Sequence, residues 1–342
     1  MRVSRLGVAI LAACVLLSGC DRSPAPPAPT SSAQLPLARV VALAPALTQI
    51  VIDLGKGDLL VGVCSDDPAA PKGMKTVGDY RHVDEEALLA LHPTVVFTMF
   101  GQEGANTRLD DLGQVHHFRV VSYDSPHSIE EMEEIICEGD ALRSGAAGRG
   151  MGAVLGNWEA GWKLMLKVQM ELAGLEDLTL NLANKPTVLL LIGTHPLMAV
   201  GPRSVHDALL NRYCGARNAA WNLVGNAPQI SRERILEAKP DIIVLIQPNG
   251  APLQSLDQDD RLSELRGLDV PAVKNNKLYL LDDPRGMLES SSLPVVAEKL
   301  AKILHPELEA KIDAAMVAAT QPKPEKPAPV TQPAPATAPA EP

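Results

Sequence analysis

The residues able to do chemistry are spread thinly through this chain. Its eight histidines are His82, His92, His116, His117, His127, His195, His206 and His305. None of them shows metal-ligand spacing. His116 and His117 are adjacent, so on a regular element they point apart and make a poor metal pair. No serine stands in a GxSxG turn, and there is no HExxH, no phosphate-binding loop and no GxGxxG after the first strand-like segment. No C-x-x-C offers a zinc or redox pair. This inventory argues against catalysis and for binding. What does recur is an acid in a fixed frame. Glu86 lies two residues after Asp84 and seven before Pro93, and Glu233 lies two after Ser231 and seven before Pro240. An acid there also suits the positive end of a helix dipole, by a few tenths of a kcal/mol.

The frame itself is a repeat. With Pro93 aligned on Pro240, Leu88 meets Ile235, Leu89 meets Leu236, and Val95 and Val96 meet Ile242 and Ile243. Asp and Ser are both good N-caps, so each copy starts a helix at the same place. Each helix ends before its proline, which biases the preceding residue away from helix. A short β-branched run, a buried strand, then follows. The runs 39–43, 59–63, 94–98 and 118–122 are strands of a first lobe, and 186–192, 241–246 and 277–281 of a second. Strands alternating with helical segments predict an α/β fold: two similar lobes on parallel sheets. Between the lobes, Trp158, Trp162, Met165, Leu166 and Met170 recur at helical spacing. They predict one long helix from about 146 to 175 with both tryptophans packed in the core, its start weakened by Gly148, Gly150, Gly152 and Gly156.

The termini are of another kind. Arg2 and Arg5 precede an apolar run from Leu6 to Leu17, an export signal too short to span a bilayer comfortably. Ser18 and Gly19 before Cys20 resemble a lipobox, which implies cleavage before Cys20 and lipidation of its thiol; Asp21 resembles an inner-membrane retention signal. Residues 20–37 form a Pro-, Ala- and Ser-rich tether reaching on the order of 45 Å. The Pro/Ala-rich stretch Gln321–Pro342 cannot bury an apolar face and is expected to be disordered. Beyond the signal and Cys20, Cys64, Cys137 and Cys214 remain, an odd number that allows at most one bridge. A net charge of −10 argues against nucleic acid as a partner, and aromatic residues make up only 3%, so few can line a cleft.

Three segments carry a resemblance. "RVVALAPALTQIVIDLGKGDLLVGVC" (Arg39–Cys64), "TVGDYRHVDEEALLALHPTVVF" (Thr76–Phe97) and "QISRERILEAKPDIIVL" (Gln229–Leu245) are similar to segments of the iron-chelate and cobalamin family of ABC-importer substrate-binding proteins. The similarity runs from about Arg39 to Leu304. It implies two Rossmann-like lobes joined by one long α-helix, with the ligand held between them. It also gives Glu86 and Glu233 a role: an acidic residue on each lobe docks on arginines of the permease, a two-point footprint that orients the binding protein. In the cleft, Tyr80 stands where vitamin-binding members have a tryptophan on the corrin ring, with Arg81 beside it. Three further aromatic positions of those members match Met99, Met198 and Ala227 here. Phe100 compensates for Met99, and methionine packs softly on a macrocycle. Arg203 and Arg285 fall in second-lobe loops where siderophore-binding members use arginine; a surface salt bridge is the competing role for each. Cys214 matches a family cysteine whose partner position here is Ala301, so that bridge is missing.

The expected organisation is thus a signal peptide over 1–19, a lipidated tether over 20–37, an N-terminal lobe over 38–144, an interlobe helix over 145–184, a C-terminal lobe over 185–306, and a helix remnant with a disordered tail over 307–342. The expected function is capture of a cobalamin, other corrinoid or iron chelate (siderophore or haem) outside the cytoplasmic membrane, by a monomer that hands it to an ABC permease and its ATPase. No resident metal or cofactor is expected. An exported two-lobed hydrolase or chelatase would need a nucleophile–base pair or metal triad, and a sensor or scavenger would act without a permease.

Overall fold

The computed structural model describes residues 38–78, 82–100, 107–138, 150–248 and 250–320. The first lobe runs β1 (Val40–Ala42), α1 (Pro45–Asp53), β2 (Leu60–Val63), α2 (Glu85–Ala90), β3 (Val95–Phe100), α3 (Thr107–His116), β4 (Arg119–Asp124) and α4 (Ile129–Ile136). A short helix, α5 (Met151–Val154), leads into the long α6 (Trp158–Thr179). The second lobe follows as β5 (Thr187–Thr194), β6 (Leu197–Ala199), α7 (Val205–Ala208) with a π-helical turn over Leu209–Tyr213, β7 (Arg217–Asn218), α8 (Arg232–Ala238), β8 (Ile242–Ile246), α9 (Pro271–Lys274) and β9 (Leu278–Leu281). Helices α10 (Leu293–Leu304) and α11 (Glu309–Thr320) close the described chain. None of these helices is long and apolar enough to cross a membrane.

Each lobe is built on a sheet with parallel strands. The first has the order β2-β1-β3-β4, all parallel. In the second, β5, β8 and β9 lie parallel and β7 joins β5 in parallel along Thr187–Val188. The short antiparallel β6 pairs with the far end of β5. At three and two residues, β6 and β7 are too brief to leave a period in the sequence.

The repeat is visible down to single torsions. Asp84 caps α2 by accepting from Ala87 N at 2.9 Å, and Ser231 caps α8 by accepting from Arg234 N at 3.3 Å. Both prolines are buried. The residue before each proline leaves the helix into the left-handed region, His92 at φ 45° and Lys239 at φ 46°. Strands begin two residues after each proline and pair with the first strand of their lobe, Val95 opposite Val40 and Ile242 opposite Val188.

Alternation along the strands divides the core. One face of each sheet enters a single apolar core: Val40, Ala42 and Phe97 from the first, Val188, Leu190 and Val244 from the second. Leu164, Val168, Leu172 and Leu175 of α6 lie in that same core, with Leu300 of α10 and Ile312 of α11. The opposite faces have separate cores. Val41 and Val96 pack with Leu88 of α2, while Leu189 and Ile243 pack with Ile235 of α8.

The long helix departs from expectation at its start. Gly156 adopts φ 70° and breaks the run, and Asn157 restarts it, its Oδ1 accepting from Ala160 N at 3.1 Å. The continuous helix therefore begins at Trp158, not near residue 146. Trp158, on the first turn, is 53% exposed, and the buried stripe runs instead through Gly161, Leu164, Met165, Val168 and Leu172. Cys64, Cys137 and Cys214 are all buried, and no bridge joins Cys64 to Cys137. Cys64 Sγ donates to Asp67 Oδ2 at 3.8 Å, and Cys214 Sγ to Ala297 O at 3.4 Å.

The two matched left-handed turns generate a paired test. A left-handed conformation strains any residue with a Cβ, and glycine relieves the strain while adding freedom to the unfolded chain. His92→Gly and Lys239→Gly are each expected to raise unfolding stability by roughly 0.5–1 kcal/mol in urea titrations. Effects of opposite sign at the two positions contradict the equivalence of the turns.

Candidate functional site

Strands that run parallel end at one edge, and the helices between them run back. Helix α2 leads directly through Pro93 into β3, so its N-terminus points toward the carboxyl edge of the first sheet; α8 and β8 repeat this in the second. Loops at the carboxyl edges are where open α/β sheets bind ligands. Among the described residues, three clusters of polar contacts tie the lobes to each other and to α6. His127, in the loop after β4, places Nδ1 3.1 Å from Arg203 O and 3.3 Å from the Asn226 side-chain amide. Ser291 Oγ donates to Asp53 Oδ2 of α1 at 2.7 Å. Arg212 donates to Glu176 of α6 at 3.0 Å and to Glu130 of α4 at 3.5 Å, with its guanidinium 5.0 Å from the centre of the Tyr213 ring.

The residues singled out from the sequence fall into three groups. Met198, Arg203 and Ala227 come together at the carboxyl edge of the second sheet. Met198 bridges Gln229, Gly201 N donates to Asn226 O at 2.8 Å, and Ala199 N to Pro228 O at 2.9 Å, so the segments carrying all three are laced side by side. Ala227 and the Arg203 side chain are exposed, and that side chain makes no hydrogen bond or ion pair among the described residues. Met99, near the end of β3, packs into the shared core at 8% exposure. Phe100 ends β3, and its side chain, like Tyr80, Arg81 and Cys20, lies outside the described residues.

Arg285 is already engaged. Its Nε and Nη2 hold the two oxygens of Asp283 at 3.0 Å each, and Lys299 Nζ adds a third contact at 2.6 Å. Burial alone would raise the Asp283 pKa, but these donors outweigh it and hold the carboxyl well below its usual range. Its side chain is 1% exposed. Arg285 is therefore a half-exposed cation whose charge is matched by a buried partner.

A groove of about 290 Å³ opens between α4, α6 and the π-helical turn, lined by Glu130, Glu133, Gln169, Glu176 and Arg212. Glu133 is 8% exposed and accepts from Gln169 Nε2 at 2.7 Å. Burial raises its pKa, partly countered by that hydrogen bond. Glu171 of α6 is buried too, with its pKa raised by burial against the pull of Lys167.

Glu86 and Glu233 both occupy the second turn position after their caps and both are exposed. Their neighbours are tied down. Glu85 pairs with Arg108, Arg234 with Glu237 at 2.9 Å, and the Arg232 guanidinium bonds the backbone carbonyls of Glu264 and Arg266. Glu86 makes no hydrogen bond or ion pair among the described residues. Glu233 is held below its usual pKa first by its own backbone N–H and then by the Ser231 hydroxyl.

Sequence reasoning missed His127, Asn226 and the Asp53–Ser291 bond. Each partnership spans the lobes, so no local period announces it. The one available cue was Ser128 followed three residues later by Glu131, a helix-start signature immediately after His127.

Comparison with known proteins gives the following. The profile of the family described as "Periplasmic binding protein" matches residues 40–284. A protein of Photorhabdus laumondii subsp. laumondii named "Vitamin B12-binding protein" is 26% identical over 210 residues, 60% of this chain and 70% of its own. The Bacillus subtilis protein named "Uncharacterized ABC transporter substrate-binding lipoprotein YvrC" is 25% identical over 278 residues, 79% of this chain and 80% of its own. A crystal structure of a periplasmic heme binding protein from Pseudomonas aeruginosa superposes with a TM-score of 0.61 at 25% identity, covering 78% of this chain and 92% of that one.

Glu289, in the loop before α10, generates a pH prediction. Burial pushes its pKa from 4.5 up to about 7. The folded state therefore holds this proton more tightly than the unfolded chain. The resulting stability is fully present below pH 4.5 and is lost as pH rises through about 7. Glu289→Gln is expected to leave stability near wild type at pH 4 and to exceed it by up to about 3 kcal/mol at pH 8. Urea midpoints across that range check it; an advantage at pH 4 that disappears at pH 8 contradicts the sign.

Proposed function

The chain belongs to the periplasmic binding protein family, and on that premise we propose that it is the extracytoplasmic solute-binding component of an ABC importer. Its cargo is a corrinoid or an iron chelate, siderophore or haem, passed to the permease without chemical change. The observation that carries this reading is the pair of matched α/β halves, bonded to each other at their carboxyl-edge loops through His127, Arg203 and Asn226. The family profile spans both halves, and the relatives named for vitamin B12 and heme support the ligand class.

Tyr80, Arg81, Phe100, Met198, Arg203, Ala227 and Arg285 form the proposed ligand-facing set; Met99, expected among them, packs into the shared core instead. The charged members differ in kind. Arg203 offers an unpaired cation to an acidic ligand group. Arg285 offers a guanidinium already neutralised by Asp283, a directional donor with little net charge. Glu86 and Glu233 form the permease footprint: each is exposed at an equivalent position, and the charges beside it are consumed within the protein. Cys20 is the lipid anchor, holding the body by the 20–37 tether at the periplasmic face of the inner membrane.

Titration of a form beginning at Asp21 with cobalamin, haemin and several ferric siderophores, read by tryptophan quenching and calorimetry, tests the ligand class. One of these is expected to bind one to one with a dissociation constant in the micromolar range or below; no heat and no quenching with any of them overturns the reading. The footprint has its own test. Glu86→Lys combined with Glu233→Lys is expected to leave ligand affinity intact and to abolish uptake. Wild-type transport by this variant removes the docking role.

A further inference from the structure

We propose that the amino edge of the second sheet is a membrane-contact surface, which lays the protein against anionic lipid headgroups. The surface is independent of the cargo; the choice of lipid as its partner rests on the anchoring read above.

Four adjacent strands build the edge. In the order β7, β5, β8 and β9 they run parallel, so all four begin on one side of the lobe. A cation stands at or just before each start. Arg217 opens β7, Lys185 lies two residues before β5, Lys239 three before β8, and Lys277 directly before β9. Backbone bonds lace these segments together. Arg217 N donates to Pro186 O at 2.9 Å, Asp241 N to Thr187 O at 2.8 Å, Ala272 N to Pro240 O at 2.9 Å and Ile243 N to Lys277 O at 3.0 Å. With strands about 4.8 Å apart, the row of cations spans about 14 Å.

The charge on this row is unmatched. Arg217, Lys239 and Lys277 are exposed and Lys185 is half-buried, and none of the four side chains makes a hydrogen bond or ion pair among the described residues. The segments 184–187, 216–218, 238–242 and 269–278 contain two acids. Asp241 Oδ2 accepts from Thr187 N at 2.9 Å, and Asp269 pairs with a fifth cation, Lys274. This positive excess stands on a chain whose net charge is −10. The matching edge of the first lobe is less freely charged. Arg39 is spent on the carbonyls of Leu91 and His92, and His92 stands where the second lobe has Lys239.

An exposed row on an edge, outside any cleft, offers its side chains to a plane of charge and encloses no single ligand. The proposed anchor at Cys20 keeps the body within roughly 45 Å of a bilayer, so anionic headgroups are the nearest polyanion. Each Lys or Arg close to such a surface strengthens binding roughly fivefold. The acids elsewhere do not cancel this attraction. Screening acts over about 8 Å at physiological ionic strength, whereas β8 alone runs about 17 Å from one edge to the other. The same separation bears on delivery. Glu233 lies in the first turn of α8 and Lys239 directly follows its other end. The lobe cannot turn both toward one flat membrane, so lipid contact and permease docking exclude each other, and the lipid-bound orientation is a resting one.

Co-sedimentation of the form beginning at Asp21 with lipid vesicles tests this surface without the anchor. The wild type is expected to bind vesicles of equal phosphatidylcholine and phosphatidylglycerol at low salt, to leave them at high salt, and not to bind phosphatidylcholine alone. Lys185→Gln, Lys239→Gln and Lys277→Gln together are expected to weaken binding roughly tenfold or more. Lys72→Gln, Lys75→Gln and Lys311→Gln together change the net charge equally and are expected to weaken it less than about threefold. Equal losses in the two triple variants, or no wild-type binding to the mixed vesicles at low salt, overturns the proposal. Binding to soluble polyphosphate with none to vesicles also overturns it, because the partner is then a free polyanion. Each of these outcomes leaves the cargo titration untouched, so the transport reading stands or falls separately.

Discussion

The two lobes share a hydrophobic core. Val40, Ala42 and Phe97 of the first sheet and Val188, Leu190 and Val244 of the second are buried in one cluster with Val168, Leu172 and Leu175 of α6. Swinging the lobes apart would expose these side chains, and each fully buried aliphatic group contributes about 1.5–3 kcal/mol by leaving water. A crossing made of strands alone lets lobes hinge freely; here α10 and α11 also pack into the cluster through Leu300 and Ile312. The space between the carboxyl-edge loops is therefore set by folding, before any ligand arrives.

Against that fixed frame, the disposition of charge is informative. Most polar groups along the seam are matched inside the protein. Asp283 holds Arg285 and Lys299, Arg212 spans Glu176 and Glu130, and Glu133 is bonded by Gln169. Of the charged groups singled out from the sequence, two are left open among the described residues: the Glu86 carboxylate and the Arg203 guanidinium. In the proposed reading, the two carboxylates at equivalent places address a partner that recognises both lobes together, and the open Arg203 guanidinium at the lobe contact addresses a small molecule. Selectivity of this kind comes from a small number of placed polar groups in an otherwise satisfied surface.

How much of this the sequence disclosed depended on the range of the interaction. The strands at 95–100 and 242–246 were legible because burial on both faces leaves continuous β-branched runs. The duplication was legible because cap, acid and proline are local. The long helix was misjudged at its start, since a single torsion at Gly156 and a cap at Asn157 outweighed the apolar spacing that followed. Trp158 was expected in the core and is largely exposed, because the stripe facing both lobes begins at Gly161. The fate of Arg285 was undecided until Asp283, two residues away, proved to be buried beneath it. His127 was missed outright. Its partners lie 76 and 99 residues downstream, and only packing of the lobes brings them to the ring.

The most direct test of a cleft fixed by a shared core is the distance between the lobes, measured by pulsed electron resonance. Spin labels on Glu86→Cys and Glu233→Cys, in a form beginning at Asp21, report it. The native thiols are buried, and burial pushes those of Cys137 and Cys214 up, away from labelling. A shared core predicts one narrow distance that moves by less than about 2 Å on saturation with haemin or cobalamin, whichever binds. Two populations without ligand, collapsing to one shorter distance when it is added, would show that the lobes hinge and that the core does not hold them.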